Sequence, residues 1–399
     1  MMIGHNHSGD LMGIVCPAGN ENWLGGVHYL HHLVRSVNSL PESERLPFCD
    51  VWWGQPPTVD PFAEIRPLLL KQVVLSMPST LRARLERQVF RITHGYKKCD
   101  LGDIFHKVGI KVLLPYLPVD NCGLPFIYAY VDFQYRHLPQ YNPEVLWKEY
   151  ESAMRKNFER ATFILLYSEA VKEDMKRFFP EYVKKTRVIP ICSVPNHEWW
   201  TKNPDQIAQE CGLPDKFFMI SNQFYSNKNH KTVFEATRIL RDKGICVHVV
   251  CTGSPEGFHG TQVFDELKRW VLENGLDKQI HFMGIVSRAD HMAMMRQSLA
   301  VLQPSLYEGW GFAMSDSKAI GKPVLASDIP VHHEHEHPSV FAYLAPLDVE
   351  AWAEAIRSAY QVFTPGPDVV AEQQANMLTV PYSQKAGRDF VALLRQTME

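Results

Sequence analysis

The chain has 399 residues, 45% apolar and 21% charged, a globular composition that excludes a disordered or collagen-like chain and leaves room for two to three domains. Lys and Arg total 41 against 44 Asp and Glu, a net charge of −3, so no basic excess points to nucleic acid. Eight scattered cysteines with no C-x-x-C pair suit reduced thiols rather than a disulfide framework or a zinc site. No apolar run reaches the roughly 18 residues of a membrane span, and no signal-peptide layout opens the chain, so a soluble cytoplasmic protein is expected.

In chain order, residues 12–16 are a candidate first strand, followed by a loop holding Gly25 and Gly26 and a helix over about 27–37. Residues 81–98 carry Arg82, Arg84, Arg87, Arg91, Lys97 and Lys98, with Leu81, Leu85, Val89 and Ile92 at helical spacing. That stretch is either a solvated basic face or a surface that rests on an anionic membrane. Strands are expected at 111–114, 126–131 and 163–167. Ile189, Pro190, Pro195 and Pro204 lie where both periodicities break, and about 189–204 reads as an interdomain linker. Beyond it, apolar runs alternate with helical segments: strands at 217–220, 245–251, 280–283, 299–302 and 323–326, helices near 229–242, 261–274, 288–297 and 311–320. These runs are continuously apolar, as in parallel strands buried on both faces. The expectation is an α/β chain with a first domain over 1–195 and a second over 205–380. A final helix near 383–399 packs back on the first domain.

Ligands of such sheets bind at the carboxyl ends of the strands. There Lys228 precedes a helix, a good position for an anion; the alternative is a solvated lysine at a turn. Glu308-Gly309-Trp310-Gly311-Phe312 follows a strand and enters a helix that carries Asp316. Glycines there expose backbone N–H groups, and two carboxylates suit paired hydroxyls of a sugar; helix-dipole capping is the competing account. Asp132 ends the 126–131 strand, with Gln134 and His137 close behind as acceptor-side candidates. The tract from His332 to His337 looks like a metal site, though none is expected there.

The segment from Glu308 through Asp316 to Ala319-Ile320-Gly321-Lys322-Pro323-Val324 resembles the Glu-x7-Glu signature of glycosyltransferase family 4. Asp132 to Pro139 is similar to a stretch of a family 4 subset that includes mannosyltransferases. The resemblance implies a GT-B fold of two facing Rossmann-like domains with a cleft between them. It also implies a retaining transfer from a nucleotide-diphosphate sugar, GDP-mannose by resemblance, to a glycan or lipid-linked acceptor, with no metal or other cofactor. It assigns Glu308 to the transferred sugar, Asp316 to the donor ribose and Lys228 to the diphosphate, with Gln223 where the family has an Arg. Gly25, Gly26, Gly253, Gly309, Trp310, Gly311 and Phe312 fall to donor binding. Asp132, Lys228 and Glu308 are the catalytic candidates. An epimerase or phosphorylase of the same architecture, or a nucleotide-sugar-binding module without turnover, remain open.

Overall fold

The computed structural model describes residues 10–16, 24–53, 60–75, 85, 88–89, 92–93, 102–115, 123–141, 144–190, 192–255 and 262–399. Among the described residues seven strands build the first lobe: β1 (Leu11–Cys16), β2 (Phe48–Trp53), β3 (Leu69–Leu75), β4 (Ile110–Pro115), β5 (Ile127–Tyr130), β6 (Phe163–Leu166) and β7 (Thr186–Val188). All pair in parallel, as β3-β2-β1-β4 and β5-β6-β7. A parallel bridge between Leu113 and Phe126 joins the two sets. The second lobe holds β8 (Phe218–Ser221), β9 (Val249–Thr252), β10 (Ile280–Gly284), β11 (Val301–Gln303), β12 (Val324–Ser327) and β13 (Val340–Leu344), ordered β10-β9-β8-β11-β12-β13. In both sheets the winding reverses beside the first strand. The reversal opens a crevice at the carboxyl ends between β1 and β4, and between β8 and β11.

Five strands of the second lobe follow the sequence pattern because its central strands are buried on both faces; Phe218, Met219, Ile220, Val301 and Leu302 are inaccessible to solvent, whereas the partly exposed edge strand β13 was not expected. Three strands of the first lobe were not expected. β2 conceals a buried Asp50, held by Trp52 Nε1, Arg66 and Gln72. β3 is a sheet edge with Leu70, Lys71 and Gln72 exposed, and β7 has only three residues. The first helix also begins earlier than expected, at Leu24–Asn38, so Gly25 and Gly26 lie within its first turn rather than in a preceding loop.

The last helix, Val369–Met398, is about twice the expected length and runs through Pro381. Near its start Arg296 pairs with Glu372 at 2.7 Å on the second lobe. Further on it crosses to helix Leu24–Asn38, where a side chain at Gly387 would overlap the Ser36 carbonyl. Between the lobes, residues 192–196 have no regular structure and His197–Trp200 form one 3-10 turn. Leu85, Val89 and Ile92 are helical and exposed; the basic residues expected beside them lie outside the described residues. No helix among the described residues is long and apolar enough to cross a membrane.

Candidate functional site

The β8 and β11 loops interlock at the switch point. Asn222 Nδ2 donates to Gln303 Oε1 at 2.9 Å, Asn227 Nδ2 to the Tyr307 carbonyl at 3.0 Å, and the Leu306 N–H to the Asn227 carbonyl at 2.8 Å. Asn229 adopts the left-handed φ of +53° that asparagine tolerates, and its amide ties the Pro304 and Pro346 carbonyls. Gly253, after β9, presses on the chain at Asn222; a Cβ there would overlap the Asn222 carbonyl. Held so, Lys228 Nζ donates to both oxygens of Glu308 at 2.7 Å. Glu308, 7% exposed, also accepts from Ser305 Oγ at 2.7 Å and Gln303 Nε2 at 3.0 Å. Gln223 is partly buried on the same loop.

The first lobe closes over this pair. Gly309 meets Val131 so tightly that a Cβ would overlap the Val131 carbonyl and crowd Asp132. Ser168 Oγ donates to the Gly309 carbonyl at 2.9 Å. Asp132 accepts from the Gln134 N–H at 3.0 Å. Burial pushes its carboxyl up to about 6, the Gln134 N–H opposes that, and the nearby Glu308 and Lys228 charges act in opposite directions. Asp132, Lys228 and Glu308 thus form one cluster across the cleft. Gln134 enters it through its backbone. His137 turns aside: its Nε2 meets Asp174 at 2.7 Å and its ring stacks on Tyr307 at 4.6 Å. Tyr307 in turn accepts from the Phe133 N–H and donates to Asp174, a bridge between lobes that sequence reasoning missed.

Asp316 lies in a second cluster. Both its oxygens accept from Arg288 at 2.7 Å, and Oδ1 also accepts from Ser193 Oγ at 2.6 Å. Burial works against ionisation, yet the Arg288 charge and hydrogen bonds outweigh it and hold Asp316 well below the usual carboxylate range. Arg288 stacks over Trp199 at 4.5 Å. The cavity beside it is lined by His28, His31, His32, Arg35 and Glu64. Burial holds His28 neutral, down at about 3, and His31 at about 4. Phe312 seats on this stripe, stacked on His32 at 5.9 Å. Asp316 is thus engaged by Arg288, 28 residues away in sequence, which no local motif announced.

Trp310 offers the cleft only its backbone. Its indole is buried, donates to Ser315 Oγ at 2.9 Å and packs on His335 at 4.0 Å. Gly311 takes φ +97°, which a glycine accepts without strain. The histidine tract is dispersed: His332 bonds the Ser327 carbonyl, His333 Asp328, His335 the Trp310 carbonyl and His337 Ser317. Among the described residues no group of three His, Cys, Asp or Glu could hold a metal ion.

Residues 204–361 match the family of glycosyl transferases group 1. That match lies within the second lobe. The chain is similar to O-antigen chain mannosyltransferase RfbU of Salmonella typhimurium strain LT2, 22% identical over 218 residues. That match spans 55% of this chain and 55% of the relative. A glycosyltransferase from Rickettsia africae ESF-5 superposes with a TM-score of 0.66 at 16% identity, over 98% of this chain and 99% of its own. Anabaena HepE, solved with UDP and glucose, gives 0.61 at 15% identity, over 97% and 98%. The whole architecture is GT-B: two Rossmann-like lobes with a cleft between them.

Proposed function

We propose that the chain is a retaining, metal-independent glycosyltransferase moving a hexose from a nucleotide-diphosphate sugar, GDP-mannose, to a hydroxyl of a glycan or lipid-linked acceptor. The observation that carries the reading is the Lys228–Glu308 pair at the switch point of the group 1 domain, faced by Asp132 of the other lobe. Breaking the sugar–phosphate bond builds negative charge on the leaving diphosphate. Lys228 and the N–H groups of the 309–312 loop would stabilise it. Glu308 would hold hydroxyls of the transferred sugar, Asp132 the acceptor hydroxyl, and Asp316 the ribose. In a retaining transfer the donor phosphate takes the acceptor proton on the same face, so positioning carries much of the rate. Mannose is supported by the name of the RfbU relative. The exposed Leu85, Val89 and Ile92, in a segment rich in Arg and Lys, support peripheral contact with a membrane that bears the acceptor.

The test is a thermal-shift panel of UDP-, GDP- and dTDP-sugars, in which ligand at about 100 times its Kd adds roughly 2.7 kcal/mol. Stabilisation by GDP-mannose, and its slow hydrolysis unaffected by EDTA, is expected. A panel in which no sugar nucleotide moves the melting midpoint overturns the proposal.

A further inference from the structure

Resting on the donor reading above, we propose that Ser193 occupies the position of a donor hydroxyl on Asp316, so that a ribonucleotide seats its ribose only by displacing the interlobe linker. The carboxylate has about four lone-pair positions. Arg288 takes one on each oxygen, and Ser193 Oγ takes another on Oδ1. A vicinal diol needs two acceptor positions, so one protein donor must leave. Arg288 is the costly one to move: it is a bidentate cation, largely buried and stacked on Trp199. Ser193 is neutral and makes a single bond. It is also fully buried, so no water reaches Asp316 from that side while the linker stays in place.

The linker is gripped from both lobes at this point. The next residue, Val194, donates its N–H to His32 Nδ1 at 3.1 Å. That nitrogen is therefore the unprotonated one, and burial keeps the ring neutral. Ser193 and Val194 thus join Asp316 of the second lobe to His32 of the first. Displacing Ser193 exchanges a linker hydroxyl for a ligand hydroxyl on the same oxygen and loosens that join. Donor affinity is then lower than the site alone would give, by the strength of one bond to a carboxylate.

The experiment is calorimetric titration of wild type, Ser193→Ala and Ser193→Thr with GDP and UDP, each beside its 2′,3′-dideoxy counterpart. Removing the competing hydroxyl should tighten ribonucleotide binding about tenfold, leave dideoxynucleotide binding unchanged, and be reversed by the threonine. In wild type one ribose hydroxyl only replaces Ser193 while the other fills the position left free, so the ribonucleotide should exceed the dideoxynucleotide by about tenfold rather than the roughly hundredfold of two new bonds; this comparison holds even if the alanine variant does not fold. A wild-type ratio near hundredfold, an alanine variant that gains nothing, or equal gains for both nucleotides overturns the proposal while leaving the donor reading intact. Wild type that binds neither nucleotide overturns the donor reading, and this proposal with it.

Discussion

Asp132 is a carboxylate held in the fold against its own solvation, and replacing it should make the protein more stable while it loses activity. Burial raises its carboxyl from 3.8 to about 6. A carboxyl whose folded value is raised binds more protons in the folded than in the unfolded state between those two values. Stability therefore falls as pH rises through that window, and the full penalty persists above about pH 6. At about 1.4 kcal/mol per unit the shift corresponds to about 3 kcal/mol, and residual solvent contact reduces this to about 1–3 kcal/mol. Asparagine keeps an acceptor for the Gln134 N–H and removes the charge that faces Glu308. Urea unfolding of Asp132→Asn against wild type should show the gain at pH 8 and most of it gone at pH 4.5. Sugar transfer by the variant should fall at least tenfold at both values. Equal midpoints at pH 8, or a less stable variant there, would refute the account of Asp132 as a strained functional acid.

Glu308→Gln removes the charge shared by Lys228, Ser305 and Gln303; loss of charge-assisted bonds of about 1.5–3 kcal/mol predicts turnover lower by roughly ten- to 100-fold, read by donor hydrolysis. Gly309→Ala sets a methyl against the Val131 carbonyl, so the lobes must part; kcat/KM should drop and the scattering radius rise, and an unchanged radius would sink that prediction. Glu334 of the second lobe accepts from the Glu169 and Ala170 N–H groups at 2.7 and 2.6 Å, capping helix Glu169–Phe178 across the cleft. Glu334→Gln should weaken this cap by about 0.5–2 kcal/mol, seen as faster amide exchange at residues 169 and 170 but not on β8.

What could be read from the sequence was what local chemistry enforces. Phe218 to Ser221 and the 301–303 run are apolar because both sheet faces are covered, and that leaves a continuous signal. Lys228 and Glu308 were legible because each follows a strand and precedes a helix. β2 was not, since the buried charge of Asp50 breaks its apolar run and is satisfied by Arg66 sixteen residues on. β3, an exposed edge, alternates too weakly to stand out. Arg288, Ser193 and Tyr307 escaped for a different reason: their partners Asp316, Asp174 and the Phe133 N–H are distant in sequence and meet only once the lobes have closed. Trp310 looked like a ligand-facing aromatic beside its glycines, yet the left-handed turn at Gly311 and the seat on His335 direct it inward.

Both acid clusters already satisfy themselves within the protein, which eases the entry of a charged donor into a partly buried cleft. Bringing a lone carboxylate or ammonium into such a site would cost several kcal/mol of solvation. Lys228 and Glu308 neutralise each other instead, as do Arg288 and Asp316, so each group stays aimed while the site waits. A nucleotide-diphosphate sugar presents both complements at once, anionic oxygens for Lys228 and hydroxyls for Glu308. Binding can then proceed as an exchange of partners rather than an uncompensated desolvation. The prediction is an asymmetry between ligands: inorganic diphosphate alone would take Lys228 and leave Glu308 facing Asp132 without its counter-charge. It should therefore bind at least 100-fold more weakly than the intact sugar nucleotide, about 2.7 kcal/mol by competition titration. Comparable affinities would mean that the two groups do not act as a pair.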